Sequence, residues 1–341
     1  MRVWFNKTFS TISAVFNNLR LAGKPGEVTI VCTHNHPTAS AFVAADEYYL
    51  EPNGLDSEAY LAWCLEFCQS HRISLFWPGK EAQFISQHQA AFNAIGTQLL
   101  LVAGSDTLAL LDNKAAFYAA LPPDIAQTME FVAVENLDAF DRAVLDLSTR
   151  HNSLCVKPAV SVFGLGFRVL DTERDSITHL LKGVEYQIPL SELRLGLFNS
   201  PDFDTLLVME HLAGPEWSVD CVGQHGQLLC AVQRKKSLRA GHGQLIDNNA
   251  EIQGMVQRLT AYYQLNGIFN IQFKEGVDGP RLLEINPRPS GGFGMACLAG
   301  VNLAKLVLQA IKGETISVPD ILYGLKVTEV AMPVVLRDDV Q

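Results

Sequence analysis

Apolar and polar residues along the chain switch between a period of two and a period near 3.6, the marks of strands and helices. In residues 1–104 the two alternate in the manner of a parallel α/β sheet. Residues 3–5 read as a strand, and Ser10 or Thr11 can cap a helix running to about Ala22. Residues 28–33 form a strand that ends in His34-Asn35-His36-Pro37. Asp56 or Ser57 can then cap a helix whose Tyr60, Trp63, Cys64, Phe67 and Cys68 recur at helical spacing. A strand over 73–77, a helix over 81–95 and a strand over 99–103 complete this region. Residues 105–121 read as a helical connector broken at Asp112, which can cap the second piece, and Pro122-Pro123 end it. A second α/β unit has strands at 131–134, 153–157 and 167–170 and helices at 137–147 and 174–181. A third, from about Ile188, has a helix near 191–197, strands at 206–210, 217–222 and 227–232, a basic loop, a helix over 250–263, a hairpin and a helix over 296–311. No internal repeat or low-complexity segment interrupts this order.

At 341 residues, two or three packed units are expected. A 48% hydrophobic and 18% charged composition fits a compact enzyme and argues against long disorder. A formal charge of -10 with no basic tail makes nucleic acid an unsuitable partner. The seven scattered cysteines suit reduced, buried thiols. No signal-peptide core and no apolar run of membrane-spanning length is read, so a cytoplasmic protein is expected. Cys32, His34 and His36 alternate on one strand face, but no further ligand supports a tetrahedral metal site and an ordinary strand end is favoured. The segment from Lys7 through Thr8, Phe9 and Ser10 to Thr11 follows the first strand and can touch a substrate there; plain N-capping explains it nearly as well.

The chemistry concentrates in LLEINPRPSGGFG, residues 282–294. Strand alternation puts Leu282, Glu284 and Asn286 on one face, and Pro287 and Pro289 hold Asn286 and Arg288 extended. A carboxylate, an amide oxygen and a guanidinium thus follow at two-residue steps. Mg²⁺ takes oxygen ligands and shares them with substrate phosphates, while Arg suits a phosphate or acyl-phosphate oxygen. A half-exposed edge strand with a solvated polar face is the plainer alternative. Asn270, Gln272 and Lys274 share one face of the preceding strand, so Gln272 can oppose Glu284. Lys157 ends a buried-looking strand, where a lysine needs an anionic partner or an exit to solvent. Gly164 and Gly166 in the following loop, which starts at Ser161, can bring backbone amides to phosphate. Neither a P-loop nor a dinucleotide fingerprint is present. The strand 206–210 ends in Glu210 before a Gly-Pro turn; its backbone can meet a base edge, and Glu216 can accept from ribose hydroxyls.

The succession Asp112-Asn113-Lys114, Val156-Lys157-Pro158 with its glycine-containing loop, Met209-Glu210-His211-Leu212 with Gly214-Pro215-Glu216, Gln272, and Glu284-Ile285-Asn286-Pro287-Arg288 resembles the ATP-grasp superfamily, most of all its carbamoyl-phosphate-synthetase-like branch. The resemblance covers about residues 105–315. It implies an α/β protein, α+β in the ATP half: a Rossmann-like pre-ATP-grasp domain over 1–104, a small (lid) subdomain with the connector over 105–187, and a large subdomain over 188–341. It also implies ATP and Mg²⁺ (or Mn²⁺). Lys114, Lys157, Ser161, Gly164 and Gly166 would contact the phosphates. Glu210, His211 and Leu212 would line the adenine and Glu216 the ribose. Gln272, Glu284 and Asn286 would carry the metal, and Arg288 the γ-phosphate or the acyl phosphate. The loop 161–167 departs from the family in having fewer glycines and two Phe, Phe163 and Phe167. Arg234, in the basic stretch 234–239, matches basic residues near the γ-phosphate in related enzymes. Ser290, Gly291 and Gly292 precede a helix N-terminus, an anion site for a substrate carboxylate. The implied activity is an ADP-forming carboxylate–amine ligase with small-molecule substrates, compatible with a homodimer. The alternative is a catalytically silent ATP sensor on the same fold.

Overall fold

The computed structural model describes residues 1–8, 11–161, 164–184, 186–239 and 241–335. The expectations placed on Phe9, Ser10, Val162 and Phe163 lie outside these residues, and with Phe163 goes one of the two Phe that made the loop atypical.

The chain divides into two units. One comprises Met1–Ala109, Glu216–Gln272 and the chain from Ile285 on; the other comprises Leu110–Pro215 and Phe273–Glu284. In the first, strands β1 (Arg2–Asn6), β2 (Thr29–His34), β3 (Glu47–Leu50), β4 (Leu75–Pro78) and β5 (Gln98–Leu99) form a parallel sheet in the order β3-β2-β1-β4-β5. Both faces are covered, as parallel sheets require. Val3 and Phe5 join a core with helix α1 (Ile12–Ala22), and Trp4 between them joins an aromatic core with Tyr60, Phe67, Phe76 and Phe92. Helix α2 spans Ala41–Ala44, and α3 (Ser57–Ser70) is capped by the Asp56 carboxylate, which accepts from the Ala59 amide at 2.8 Å. The helix expected over 81–95 is two short ones, α4 (Ala82–Ser86) and α5 (Gln89–Ala94).

The connector is helices α6 (Ser105–Asp112) and α7 (Lys114–Ala120). The break falls where expected, but the cap is Asn113, whose Oδ1 accepts from the Ala116 amide at 3.1 Å.

Strands β6 (Phe131–Val134), β7 (Leu154–Pro158), β8 (Arg168–Asp171), β9 (Gln187–Pro189) and β10 (Leu206–Glu210) pair in the order β6-β10-β7-β8-β9. Helix α8 (Leu137–Ser148) lays Phe140, Ala143 and Leu147 on Val156 and Val208, and α9 (Ser176–Lys182) and α10 (Leu190–Asn199) follow β8 and β9. Because β10 inserts between β6 and β7, the second unit runs to Pro215 instead of ending at 187 as the sequence suggested.

The remaining sheet, in the order β15-β14-β11-β12-β13-β16, uses β11 (Glu216–Gln224), β12 (Gln227–Lys236), β13 (Gln244–Asp247), β14 (Gly267–Gly276), β15 (Gly279–Asn286) and β16 (Lys326–Val327). Helix α11 (Ala250–Tyr262) precedes β14, and α12 (Phe293–Cys297) and α13 (Leu303–Lys312) pack on α1. The helix expected over 296–311 is broken at Gly300, whose φ is +88°. Residues 234–236, expected in a basic loop, continue β12: Arg234 points into the protein and Lys235 lies over the Trp217 ring at 4.8 Å. Alternation along a strand lets a charged residue be buried or exposed in turn, which a count of charges does not reveal.

Candidate functional site

Helix α7 begins where its Lys114 amide donates to the Ala159 carbonyl at 2.9 Å, so the helix start is fastened beside the end of β7. The buried Lys114 Nζ donates to the Ser161 carbonyl at 2.6 Å and lies 3.8 Å from the Glu284 carboxylate. The Ser161 contact is thus a backbone one. Tyr118 is one turn along the same helix face. It accepts from Lys157 Nζ at 2.8 Å, and its own hydroxyl donates to the Leu283 carbonyl, next to Glu284. Lys114 therefore meets the strand that carries Glu284 directly, and Lys157 reaches it through Tyr118.

The pairing of β7 with β10 decides which side chains share this face. Leu207 stands opposite Lys157 and Met209 opposite Cys155, whereas Glu210 stands opposite Leu154 on the other face. The Glu210 carboxylate accordingly turns to His151, with Nδ1 at 3.5 Å. What Glu210 can present beside Cys155 is its backbone; its carbonyl accepts only a weak contact from Cys155 Sγ at 3.6 Å. The amides of Glu210 and His211 are used by the carbonyls of Glu130 and Ser153, and His211 Nδ1 lies 3.0 Å from Ser153 Oγ. Leu212 is buried after them.

Burial and charge act together here. Burial pushes the Lys157 ammonium down to about 8, with Glu284 opposing the shift and Lys114 adding to it. Burial also lowers Lys114, again opposed by Glu284. Lys274 is a further cation: after burial, its charge is what lowers His211, and it opposes the rise of the Cys155 thiol to about 12. Lys114, Lys157 and Lys274 outnumber the carboxylates of Glu284 and Asp112 that act on the first two, the setting for a polyanion.

The loop after β7 is less simple. Gly164 and Gly166 both adopt positive φ, +67° and +81°. A Cβ on Gly166 would stand 2.6 Å from Pro158 Cδ, so this glycine is needed for packing as well as for its turn.

In the first unit, Arg234 lies under the loop that follows β15. Its guanidinium donates to Asp220 (2.8 Å from Nε), Ser218 and Ser290 (both 2.9 Å), and Gln244. It is 1% exposed, and Asp220 0%. Ser290 Oγ also accepts the Gly292 amide at 3.1 Å, and its carbonyl the Phe293 amide at 3.2 Å. Those two amides, read from the sequence as an anion site, are spent within the loop, and α12 is only five residues long. Glu216 is paired with Lys236. Arg288 donates from its amide to the Asn286 carbonyl at 2.8 Å and from Nη1 to the Pro289 carbonyl at 3.1 Å. A cavity of about 560 Å³ beside β5 and α13 contains none of these residues.

Comparison with known proteins places this geometry. Residues 202–333 match the family model described as ATP-grasp in the biosynthetic pathway with Ter operon, and residues 12–100 match the PylC-like N-terminal domain. N5-carboxyaminoimidazole synthetase from Staphylococcus aureus, complexed with ADP, superposes with a TM-score of 0.66 at 14% identity, over 94% of this chain and 80% of that one. The chain has the ATP-grasp fold. L-amino acid ligase from Bacillus licheniformis shares this ATP-grasp architecture at a TM-score of 0.63 and 16% identity, over 91% and 74% of the two chains. So does the biotin carboxylase domain of 2-oxoglutarate carboxylase from Hydrogenobacter thermophilus, solved with MgADP, ADP and bicarbonate, at 0.63 and 14%, over 92% and 70%. No curated protein matches the sequence.

A carboxylate and two amide oxygens, the donor types of Glu284, Asn286 and Gln272, suit a hard cation that shares its shell with phosphates. Glu284 and Asn286 are two apart on β15, and Gln272 is on the neighbouring strand β14; all three are half-buried oxygen donors. Among the described residues no three His, Cys, Asp or Glu are grouped as a metal cage would need. That composition fits Mg²⁺, which binds through one or two carboxylates plus substrate oxygens. Among the described residues no helix is long and apolar enough to cross a membrane. Sequence reasoning assigned no role to Tyr118 or Lys274. For Tyr118 the available signal was its i, i+4 spacing from Lys114; for Lys274, its shared strand face with Gln272.

Proposed function

We propose that the chain is an ATP- and Mg²⁺-dependent ligase that activates a carboxylate as an acyl phosphate for attack by an amine, releasing ADP and phosphate. The observation that carries this reading is the approach of Lys114, and through Tyr118 of Lys157, to the strand bearing Glu284. Such a face can position and neutralise phosphates, so catalysis is by orientation and charge.

Lys114 and Lys157 hold the phosphates, and the Glu210–Leu212 backbone receives the adenine edge, leaving the Glu210 side chain on His151. Glu216 addresses the ribose. Gln272, Glu284 and Asn286 would hold Mg²⁺, which would supply charge neutralisation for a phosphoryl group. Arg288 orients the γ-phosphate and then the acyl phosphate. Arg234, enclosed by protein acceptors, acts by shaping the Ser290–Gly292 loop.

An ADP-release screen across pools of carboxylates and amines tests the proposal, followed by ¹⁸O-labelled carboxylate with the best acid. Label should pass into inorganic phosphate with ADP as the nucleotide product. Label in AMP with stoichiometric pyrophosphate would refute the mechanism, and the absence of substrate-dependent ADP release would refute the activity.

A further inference from the structure

Tyr118 is 4% exposed, and its ring is held edge-on to Phe131 at 5.3 Å between centroids and against Phe117 at 5.8 Å. A phenol has one proton to give. Here that proton goes to the Leu283 carbonyl, which leaves an oxygen lone pair for the Lys157 ammonium at 2.8 Å. The direction of both bonds is therefore fixed by the first. Lys157 also lies 5.0 Å from the Tyr118 ring centroid, so the side chain meets both the oxygen and the face. The groups facing this ammonium are Tyr118 and Lys114 from α7, Cys155 from its own strand, and Glu284 from β15.

We infer that Tyr118 is a positioning residue for nucleotide binding: it engages one N–H of Lys157, ties that ammonium to the strand carrying Glu284, and leaves two N–H groups for phosphate oxygens. A lysine stem has four rotatable bonds, and a fixed acceptor removes most of that freedom before the ligand arrives. The inference rests on the ATP reading above. A phenol that only filled space would contribute through its ring, which phenylalanine keeps.

The test compares wild type, Tyr118→Phe, Lys157→Met and the double variant, with the Kd of ATP and of adenosine by calorimetry and the thermal midpoint of each protein. Tyr118→Phe should weaken ATP on the order of tenfold, the worth of one hydrogen bond to a charged group, and leave adenosine within about twofold. On the Lys157→Met background the same change should cost ATP nothing more, because the group it positions is gone. ATP and adenosine weakened alike, an unchanged ATP Kd in a folded Tyr118→Phe protein, or additive losses in the double variant would each overturn the assignment. Should Tyr118→Phe fail to fold, Lys157→Arg decides instead. A guanidinium cannot keep both the Tyr118 bond and the ammonium's position, so ATP should weaken at least fivefold with adenosine unchanged; full ATP affinity there overturns the assignment. A wild-type protein that binds ATP no better than adenosine removes the phosphate site itself, a failure separate from that of Tyr118.

Discussion

Lys157 offers a prediction with two opposite signs. In the folded chain its ammonium sits at about 8, against 10.5 for an ordinary lysine. At ~1.4 kcal/mol per pH unit, that gap is a penalty of ~3 kcal/mol for keeping the charge buried. The unfolded chain binds the extra proton between the two values. The penalty is therefore complete below pH 8 and disappears as pH rises toward 10.5. Lys157→Met removes the charge and retains most of the apolar stem. Against the relieved penalty stand the lost bond to Tyr118, ~1 kcal/mol, and the ring contact, ~0.5 kcal/mol. The variant should be more stable than wild type by ~1–2 kcal/mol at pH 7 and less stable by ~1 kcal/mol near pH 10.5. ATP should bind ~10- to 100-fold more weakly, the loss of a charge-assisted contact to phosphate. Urea unfolding at the two pH values and calorimetry with ATP read all three numbers. A variant destabilised at pH 7 that binds ATP like wild type would refute the reasoning and make Lys157 a structural lysine.

Glu284→Gln should abolish turnover and leave the thermal midpoint within a few degrees, since the half-buried carboxylate is the one charged oxygen donor among the three metal candidates; wild-type-like ADP formation by the folded variant would sink the assignment. Gly292→Ala should cost ~2 kcal/mol or more in urea unfolding, because its Cβ would stand 2.2 Å from Arg234 Nη1; an unchanged midpoint would show that the loop yields freely.

Much of this architecture was legible because it is local. The parallel N-terminal sheet follows from alternating periods, and the connector breaks where Asp112 and Asn113 interrupt its helix. Glu284 and Asn286 follow from strand geometry, but the rod expected to continue to Arg288 does not: β15 ends at Asn286 and the chain bends there, the Arg288 amide turning back to the Asn286 carbonyl. What escaped depends on partners far along the chain. Strand β10 reads the same whichever sheet it joins, and its insertion between β6 and β7 moved the domain boundary to Pro215. Charge density disguised the end of β12 as a loop, although Arg234 is buried against Asp220 fourteen residues away. Tyr118 carries no motif, and its partners are 39 and 165 residues distant. Ser290 looked like part of an anion cradle because a sequence does not show that it consumes its neighbours' amides.

The contact between Arg234 and Gly292 also limits how this chain can drift. The backbone at Gly292 is ordinary, with φ -95°, so other residues could adopt it; the Arg234 guanidinium stands nearest in the space a side chain would need. Position 292 can therefore enlarge only after position 234 has shrunk. A shrunken residue at 234, however, strands the fully enclosed carboxylate of Asp220, at a cost of ~3–5 kcal/mol, a large share of a domain's stability. Each single step from the present trio passes through a damaged protein. Residues 220, 234 and 292 are thus physically coupled: a change at one is accommodated only with a matching change at another.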